Sequence, residues 1–389
     1  MKRRLLVFGG GVALLLALPG TLVTTFAKAT SAQATVPCPG NDTATTASHA
    51  VIDPSTVSNA TLTADGLIGY PLTSVTALPG GGAEYTYDTA SGPVINIQPP
   101  AGFQPETATA AQRAEYGIPP EPPTSAAEQH SQWAAMLAGW KSTPSPPAQL
   151  IQTPGVRNTS TGQSNNWSGY YDTEYQGSEY DQVSGVYIQP AQYSSRCSTN
   201  AAAFWVGLGG INSANFGQDG TAMGYQAGFD PLGSDYNAWF ETDPGLYGPT
   251  WIEGLSGTPG CDFWVSTSWI SSGSEFEYSF YNYCTGLGDT YLSPDAGADL
   301  SSADWIGEAP CINYLHGQCI GTTYLSNFET LSWQGSSATT FTGHNGAIGS
   351  FPNTNDTMVN PSTGDTLAWA DNPLGGGGST FNDHQSSCW

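Results

Sequence analysis

Apolar positions recur with three different spacings along this chain. Residues 5–18 form a nearly continuous apolar run behind Lys2, Arg3 and Arg4, and small-residue cleavage sites follow at Ala27-Lys28-Ala29 and Ala32-Gln33-Ala34. That arrangement predicts an export signal over residues 1–34, because the run is short of the roughly 18 apolar residues a spanning helix needs. Between residues 35 and 160 the spacing becomes helical. Trp133, Met136, Leu137 and Trp140 repeat at that period within Ser125 to Lys141, where Ser125 and Glu128 form a capping box. A shorter helix is predicted from Thr109 to Tyr116, stopping at Gly117 before Pro119. From about Ser164 the period falls to two. Short runs of Trp, Tyr, Phe, Val and Thr, separated by Gly, Asn, Asp and Ser clusters, predict the strands of one β-sandwich or barrel.

The apolar stripe of the longer helix needs a partner surface. Residues 35–160 are therefore expected to be a pro-segment and linker docked on a domain spanning 161–389, with the Pro-, Ser- and Thr-rich stretch Thr143 to Gln163 as a cleavable connection. An exported chain with seven cysteines is expected to form disulfides. Cys38 stands apart in the upstream region. The segments on either side of Ser271-Ser272-Gly273-Ser274 read as a hairpin, and if Ile270 stands opposite Glu275, Cys261 stands opposite Cys284. Cys311 with Cys319 would close a small loop, and Cys197 with Cys388 would tie the end of the domain to its start.

Charge changes the picture more than length does. The chain holds 8 Lys and Arg against 32 Asp and Glu, a formal net charge of −24 at pH 7, and charged residues make up only 10% of it. No Lys or Arg occurs after Arg196. Acid unfolds proteins largely by positive self-repulsion and by loss of carboxylate partnerships, so a domain short of cations is expected to tolerate acid. The same shortage argues against nucleic-acid binding, which needs Lys or Arg on the phosphates. Loss of the export signal would leave Arg113, Lys141, Arg157 and Arg196. The first three fall in the upstream segment, where they are expected to face the anionic domain and hold the segment across its groove at neutral pH.

Several catalytic arrangements are absent. There is no Gly-x-Ser-x-Gly, no Asp-Thr-Gly or Asp-Ser-Gly, and no His pair at metal-binding spacing, so neither metal nor cofactor is expected. Carboxylates, amides and tryptophans remain. Strand alternation over Thr221 to Phe229 puts Gln226 on a face with Ala222, Gly224 and Gly228, and turns Met223, Tyr225 and Phe229 the other way. Asn237, Trp239 and Glu241 share a face, as do Asp304, Ile306 and Glu308. Taken alone, each pattern also suits an ordinary strand face.

Five segments in order carry a resemblance: Ser164-Asn165-Asn166-Trp167-Ser168-Gly169-Tyr170, Trp205-Val206-Gly207-Leu208-Gly209-Gly210, Gln226-Ala227-Gly228, Tyr236 to Glu241, and Asp304-Trp305-Ile306-Gly307-Glu308. Together they resemble the glutamic peptidases, the eqolisin family, and Arg113 to Pro120 resembles the pro-region of bacterial members. The resemblance implies a secreted, monomeric acid endopeptidase made as a proenzyme with its own pro-segment as inhibitor. It further implies two packed antiparallel sheets of concanavalin or lectin-like type, protein or peptide substrates, and no membrane attachment once mature. Gln226 and Glu308 stand where the family has its catalytic pair, and Trp167, Trp205, Trp239, Asn237 and Glu241 fit a substrate groove around them. Two positions depart from the family pattern: Gly209 and Asn237 stand where an Asp is usual. The alternative is a glycan-binding or glycan-hydrolysing sandwich using Glu241 and Glu308.

Overall fold

The computed structural model describes residues 68–89, 92–118, 120–122, 124, 127–140, 150–152, 164–173, 175–192, 200–211, 215–224, 236–243, 248–295, 297–315 and 318–388. Before residue 160 these include β1 (Ile68–Tyr70), β2 (Leu72–Ala77), β3 (Ala83–Thr89), β4 (Gly92–Gln98), α1 (Ala110–Glu115), α2 (Ala127–Gly139) and β5 (Leu150–Gln152). The chain continues through β6 (Trp167–Thr173), β7 (Tyr180–Ile188), β8 (Asn200–Leu208), β9 (Phe216–Gly224), β10 (Asn237–Asp243), β11 (Thr250–Ser256) and β12 (Asp262–Ile270). Then come β13 (Glu275–Asn282), β14 (Leu287–Pro294), β15 (Ser302–Glu308), β16 (Cys311–Leu315), β17 (Gln318–Thr322) and β18 (Tyr324–Leu325). The last are β19 (Thr330–Thr340), β20 (Asn345–Ala347), β21 (Asn353–Val359), β22 (Thr366–Ala370) and β23 (Phe381–Gln385).

Besides a separate two-stranded sheet, β16–β17, two large antiparallel sheets result. One runs β1–β5–β11–β10–β9–β8–β15–β6–β21, with β18 alongside β8 in parallel. The other runs β2–β3–β4–β14–β13–β12–β7–β19–β23–β22–β21. Strand β21 belongs to both and joins them at a corner. Between the sheets lies a core containing Tyr187, Phe204, Val265, Phe280, Tyr291, Trp305 and Trp333. Polar tips inside it find partners across the gap: Trp305 Nε1 donates to the Ser184 carbonyl at 2.8 Å, and the Tyr187 and Thr221 hydroxyls lie 2.7 Å apart. Such pairing offsets the cost of burying indole and phenol groups.

The hairpin register follows the sequence expectation. Ile270 pairs Glu275, the ladder runs back to Phe263 opposite Asn282, and Cys261 is bonded to Cys284 with Cα atoms 5.9 Å apart. Cys388 is disulfide-bonded, and its expected partner Cys197 lies outside the described residues. Cys311 and Cys319 sit on the paired strands β16 and β17, and their side chains are outside the description. So is residue 38.

Upstream, α1 begins and ends as predicted. The Thr109 hydroxyl accepts from Gln112 N, Gln112 Oε1 accepts from Thr109 N, and Gly117 follows at φ +64°. The Ser125 cap of α2 lies outside the described residues. The stripe on α2 meets the outer face of the second sheet: Met136 and Leu137 cluster with Tyr281, Tyr116 and Ile118, and Trp140 stacks on Tyr281 at 5.5 Å.

The upstream segment is partly helical, through α1 and α2, and its strands β1 to β5 also join the sheets, a signal carried by period-two runs such as Val94-Ile95-Asn96-Ile97-Gln98. Two expectations need correction. The stretch from Thr143 to Gln163 is not wholly a connection, because Leu150–Gln152 pairs with both β11 and β1. And Arg113 does not face the domain. Its guanidinium donates to the Ala108 carbonyl at 2.7 Å, lies 3.9 Å from Glu121 and covers the Trp133 ring at 5.0 Å, all within its own segment. Lys141 and Arg157 lie outside the described residues.

Because Met136 is buried at this contact, Met136→Ala should destabilise the full chain by about 2–5 kcal/mol in urea unfolding. Val75, 57% exposed on β2, should tolerate Ala within about 0.5 kcal/mol. Equal effects would refute the docking of α2.

Candidate active site

The outer face of the first sheet is built by strict alternation. On β8, Ala202, Phe204, Val206 and Leu208 enter the core between the sheets, while Ala203 and Trp205 join Trp167, Ala222, Trp239, Trp251 and Ile306 in a separate outer cluster. On β9 Met223 points inward and Ala222 outward, as the sequence predicted. Register then lines these residues up in rows. Trp167, Glu308, Ala203 and Ala222 stand opposite one another across β6, β15, β8 and β9. The next row is Ile306, Trp205, Gly220, Trp239 and Trp251, and the one after it Asp304, Gly207, Gln218 and Glu241.

Glu308 ends β15 and is only 3% exposed. Each carboxylate oxygen receives a neutral N–H: Asn166 Nδ2 donates to Oε1 at 3.0 Å, and Trp205 Nε1 donates to Oε2 at 2.8 Å. A hydrogen bond to a charged group contributes about 1.5–3 kcal/mol. Trp205 reaches Glu308 by lying along the sheet beside glycine; a Cβ on Gly207 would stand 3.0 Å from its Cζ3. Trp167 meets Trp205 edge-on, ring centroids 4.9 Å apart. The indole N–H groups of Trp167 and Trp239 are buried without a hydrogen-bond partner.

Glu241, 4% exposed, accepts from Gln218 Nε2 at 2.8 Å through Oε2, and its Oε1 is buried with no partner. Burial raises its pKa well above the ordinary carboxylate value; Asp243 and Glu308 add to the rise and the Gln218 bond opposes it. Asn237 is buried at the irregularity where β10 leaves register with β11. Gln226 lies outside the described residues, two positions beyond the end of β9. The structure thus gathers Glu308, Trp167, Trp205, Trp239 and Glu241 on one face, with Asn237 at its margin. Among the described residues no three His, Cys, Asp or Glu side chains converge as a metal site.

Sequence reasoning passed over two members. Asn166 was quoted in a motif without a role, and nothing in its local pattern shows that it reaches Glu308. Gln218 was legible, since counting back by twos from Ala222 reaches it. The departure at Gly209 has a structural cause: φ is +83°, and a Cβ would stand 2.1 Å from the Asp299 carbonyl oxygen, so no Asp fits this backbone.

Carboxyls are buried behind this face too. Asp383 of β23 lies under Gly307, where an added Cβ would come within 2.5 Å of its Oδ2, and that oxygen accepts from the Ser168 hydroxyl at 2.7 Å. Burial pushes its pKa up to about 7, with the Ser168 bond opposing and Asp356 and Asp371 adding. Burial likewise raises Asp356 and Asp289 to about 6, and Asp172, Asp219 and Asp304 well above their ordinary value.

The sequence profile of the Peptidase A4 family matches residues 165–368, more than half of the chain. No curated protein matches. Among solved structures, the chain is similar to SCP-B, a member of the eqolisin family of peptidases in complex with the tripeptide Ala-Ile-His. The two share 19% identity over 57% of this chain and 98% of that one, with a TM-score of 0.44. Peanut lectin with a nine-residue peptide overlaps at 10% identity, 63% of this chain and 83% of that chain, TM-score 0.20. The enzymatically active domain of bacteriophage CBA120 tailspike protein 2 overlaps at 10% identity, 55% and 26%, TM-score 0.22.

The buried acids set a pH dependence of stability. A carboxyl whose pKa is higher folded than unfolded stabilises the fold fully below about pH 4, and that contribution is lost as pH rises through the folded value. Asp371 acts oppositely: burial alone would raise it, yet hydrogen bonds from His384 and Asn382 hold it below the usual range. The raised group is larger. The thermal midpoint should therefore be higher near pH 4 than near pH 7.5, and Asp383→Asn should flatten the fall between about pH 4 and pH 7. An unchanged slope in the variant would refute the burial of Asp383 as a cause.

Proposed function

The chain belongs to the Peptidase A4 family, a glutamic-type peptidase, and from this we propose that it is a secreted acid endopeptidase acting through Glu308 and Gln226. The observation that carries the proposal is Glu308: a nearly buried carboxylate, inside the family match, held by two N–H donors on a tryptophan-lined face. Peptide hydrolysis needs a water deprotonated for attack, an oxyanion stabilised and the leaving nitrogen protonated. Glu308 as carboxylate takes the water proton and afterwards returns it to the departing amine. Gln226, near the end of β9 in the sequence, is assigned the oxyanion and the orientation of the water, since an amide offers both a donor and an acceptor.

The surrounding groups support a peptide rather than a bare cavity. Trp167 and Trp239 each present a buried indole N–H without a partner, and Glu241 an oxygen in the same condition. Unpaired buried polar atoms cost about 1–3 kcal/mol each, a cost that a peptide's carbonyl and N–H groups would remove on binding. The upstream segment, on this reading, is part of a proenzyme. Its strands β1 and β5 extend the first sheet, where Ile151 pairs with Trp251, while β2 to β4 join the second sheet and α2 packs on it.

With a denatured protein substrate near pH 4, Glu308→Gln should lower kcat by roughly 10²–10⁴-fold, and Gln226→Ala by roughly 10²–10³-fold. Initial rates at saturating substrate, with unchanged thermal midpoints, are the check. Wild-type rates in the Glu308 variant would overturn the assignment.

A further inference from the structure

The hydrogen bonds around Ser164 are all used. Its hydroxyl accepts from the backbone N–H of Asn166 at 3.1 Å and of Trp167 at 2.8 Å. A hydroxyl has two acceptor positions and one proton. With both acceptor positions taken, its proton has one place to go, and Asn166 Oδ1 lies 2.9 Å away. That bond settles which way round the Asn166 amide sits. Oδ1 is held toward Ser164, so Nδ2 is turned toward Glu308 Oε1.

The loop carrying these groups is clamped on both sides. The Ser164 carbonyl accepts from Val359 N at 3.0 Å, its backbone N–H donates to Asp356, and the Asn166 carbonyl accepts from Ala309 N at 2.8 Å. Ala309 is the residue after Glu308. Loop and carboxylate are therefore fixed in one frame, with Ser164 only 3% exposed.

We propose that Ser164 is a positioning residue for catalysis, which locks the Asn166 amide so that Glu308 meets a hydrogen-bond donor at Oε1 and never an acceptor. The inference rests on Glu308 being the catalytic base. Its consequence is chemical rather than merely structural. Asn166 Nδ2 and Trp205 Nε1 both donate and neither can accept. Protonation of Glu308 weakens it as an acceptor of these bonds, so the locked amide favours the form able to take a proton from water. Released from Ser164, the amide can rotate and offer Oδ1, which accepts a hydrogen bond from protonated Glu308.

Glu241 of β10 interacts electrostatically with Glu308; the other acids nearby are Asp304 on the same strand, Asp383 beneath Gly307 on the opposite face of the sheet, and Asp356 at the Ser164 backbone, and the variant alters none of them. Removing the hydroxyl frees the Asn166 amide together with the two backbone N–H groups, and Ser164→Thr keeps all three contacts.

The test compares wild type, Ser164→Ala, Ser164→Thr and Glu308→Gln, reading kcat and KM on a peptide substrate from about pH 2 to pH 7. Expected for Ser164→Ala is an acidic limb of kcat moved to higher pH by about one unit, the scale of one hydrogen bond. KM should change less than about twofold, and Ser164→Thr, which keeps the hydroxyl, should restore the wild-type limb. A Ser164→Ala profile lowered evenly at every pH, or not lowered at all, overturns the proposal while leaving Glu308 in its role. An active Glu308→Gln overturns both. If Ser164→Ala does not fold, Asn166→Asp replaces the donor by an acceptor and must move the limb in the same direction; an unmoved limb there sinks the proposal equally.

Discussion

A carboxyl group buried without a cation has two ways to avoid the full cost of a bare charge: it keeps its proton, or neutral donors surround it. This constraint governs the whole molecule. Arg113 is the one Lys or Arg among the described residues, and its partners lie in its own segment. Between and behind the sheets, acids are met mostly by hydroxyls: Thr267 at Asp219, Ser302 at Asp304, Ser168 at Asp383, and Tyr291 beside Asn96 at Asp289. A hydroxyl can donate to a carboxylate or turn and accept from a carboxylic acid, so these partners serve either state. At Glu308 an amide N–H and an indole N–H donate, and neither nitrogen can accept. The hydroxyl partners suit either protonation state, whereas these two N–H donors suit the ionised form.

The segment before residue 160 obeys ordinary packing physics rather than charge attraction. Its strand β4 extends one sheet beside β14, and β5 extends the other beside β11. Its helix α2 covers aromatic side chains of β12 and β13 that would otherwise face water. Main-chain pairing and apolar burial do not vanish when carboxyls protonate. Contacts of this kind, unlike the electrostatic hold expected from Arg113, do not depend on ionised carboxyls.

How much of this was legible follows from how local each signal is. The Cys261–Cys284 bond and the face carrying Met223 against Ala222 came from counting, because a hairpin register and a period of two are local facts. The cap at Thr109 is local as well. The contact of Asn166 with Glu308 joins positions 142 apart, and that of Ser168 with Asp383 joins positions 215 apart. No spacing rule reaches across a closed pair of sheets. The strands at residues 68–98 were missed for another reason: the helical spacing further along set the reading of the whole upstream segment, and a short period-two run shows its sheet only once β4 is seen beside β14. Gly209 looked like a lost carboxylate and proved to be a backbone requirement.

That last point bears on the chemistry of the site. Eqolisin resemblance led to an Asp at position 209, and its absence invites the view that one side chain has drifted. The backbone says otherwise. With φ at +83° and the Asp299 carbonyl in the space a Cβ would fill, the turn after β8 has been rebuilt around glycine. Asn237 is buried where β10 breaks register with β11, and an Asp there would have the same shape. The carboxylate missing at 209 is a consequence of local backbone geometry, and restoring that side chain alone would meet the Asp299 carbonyl. In the row Asp304, Gly207, Gln218 and Glu241 an amide stands beside an acid whose pKa burial raises well above the ordinary carboxylate value. A shift in that direction favours the protonated form of Glu241 and so lowers its repulsion of Glu308, with no cation from the described residues on this face.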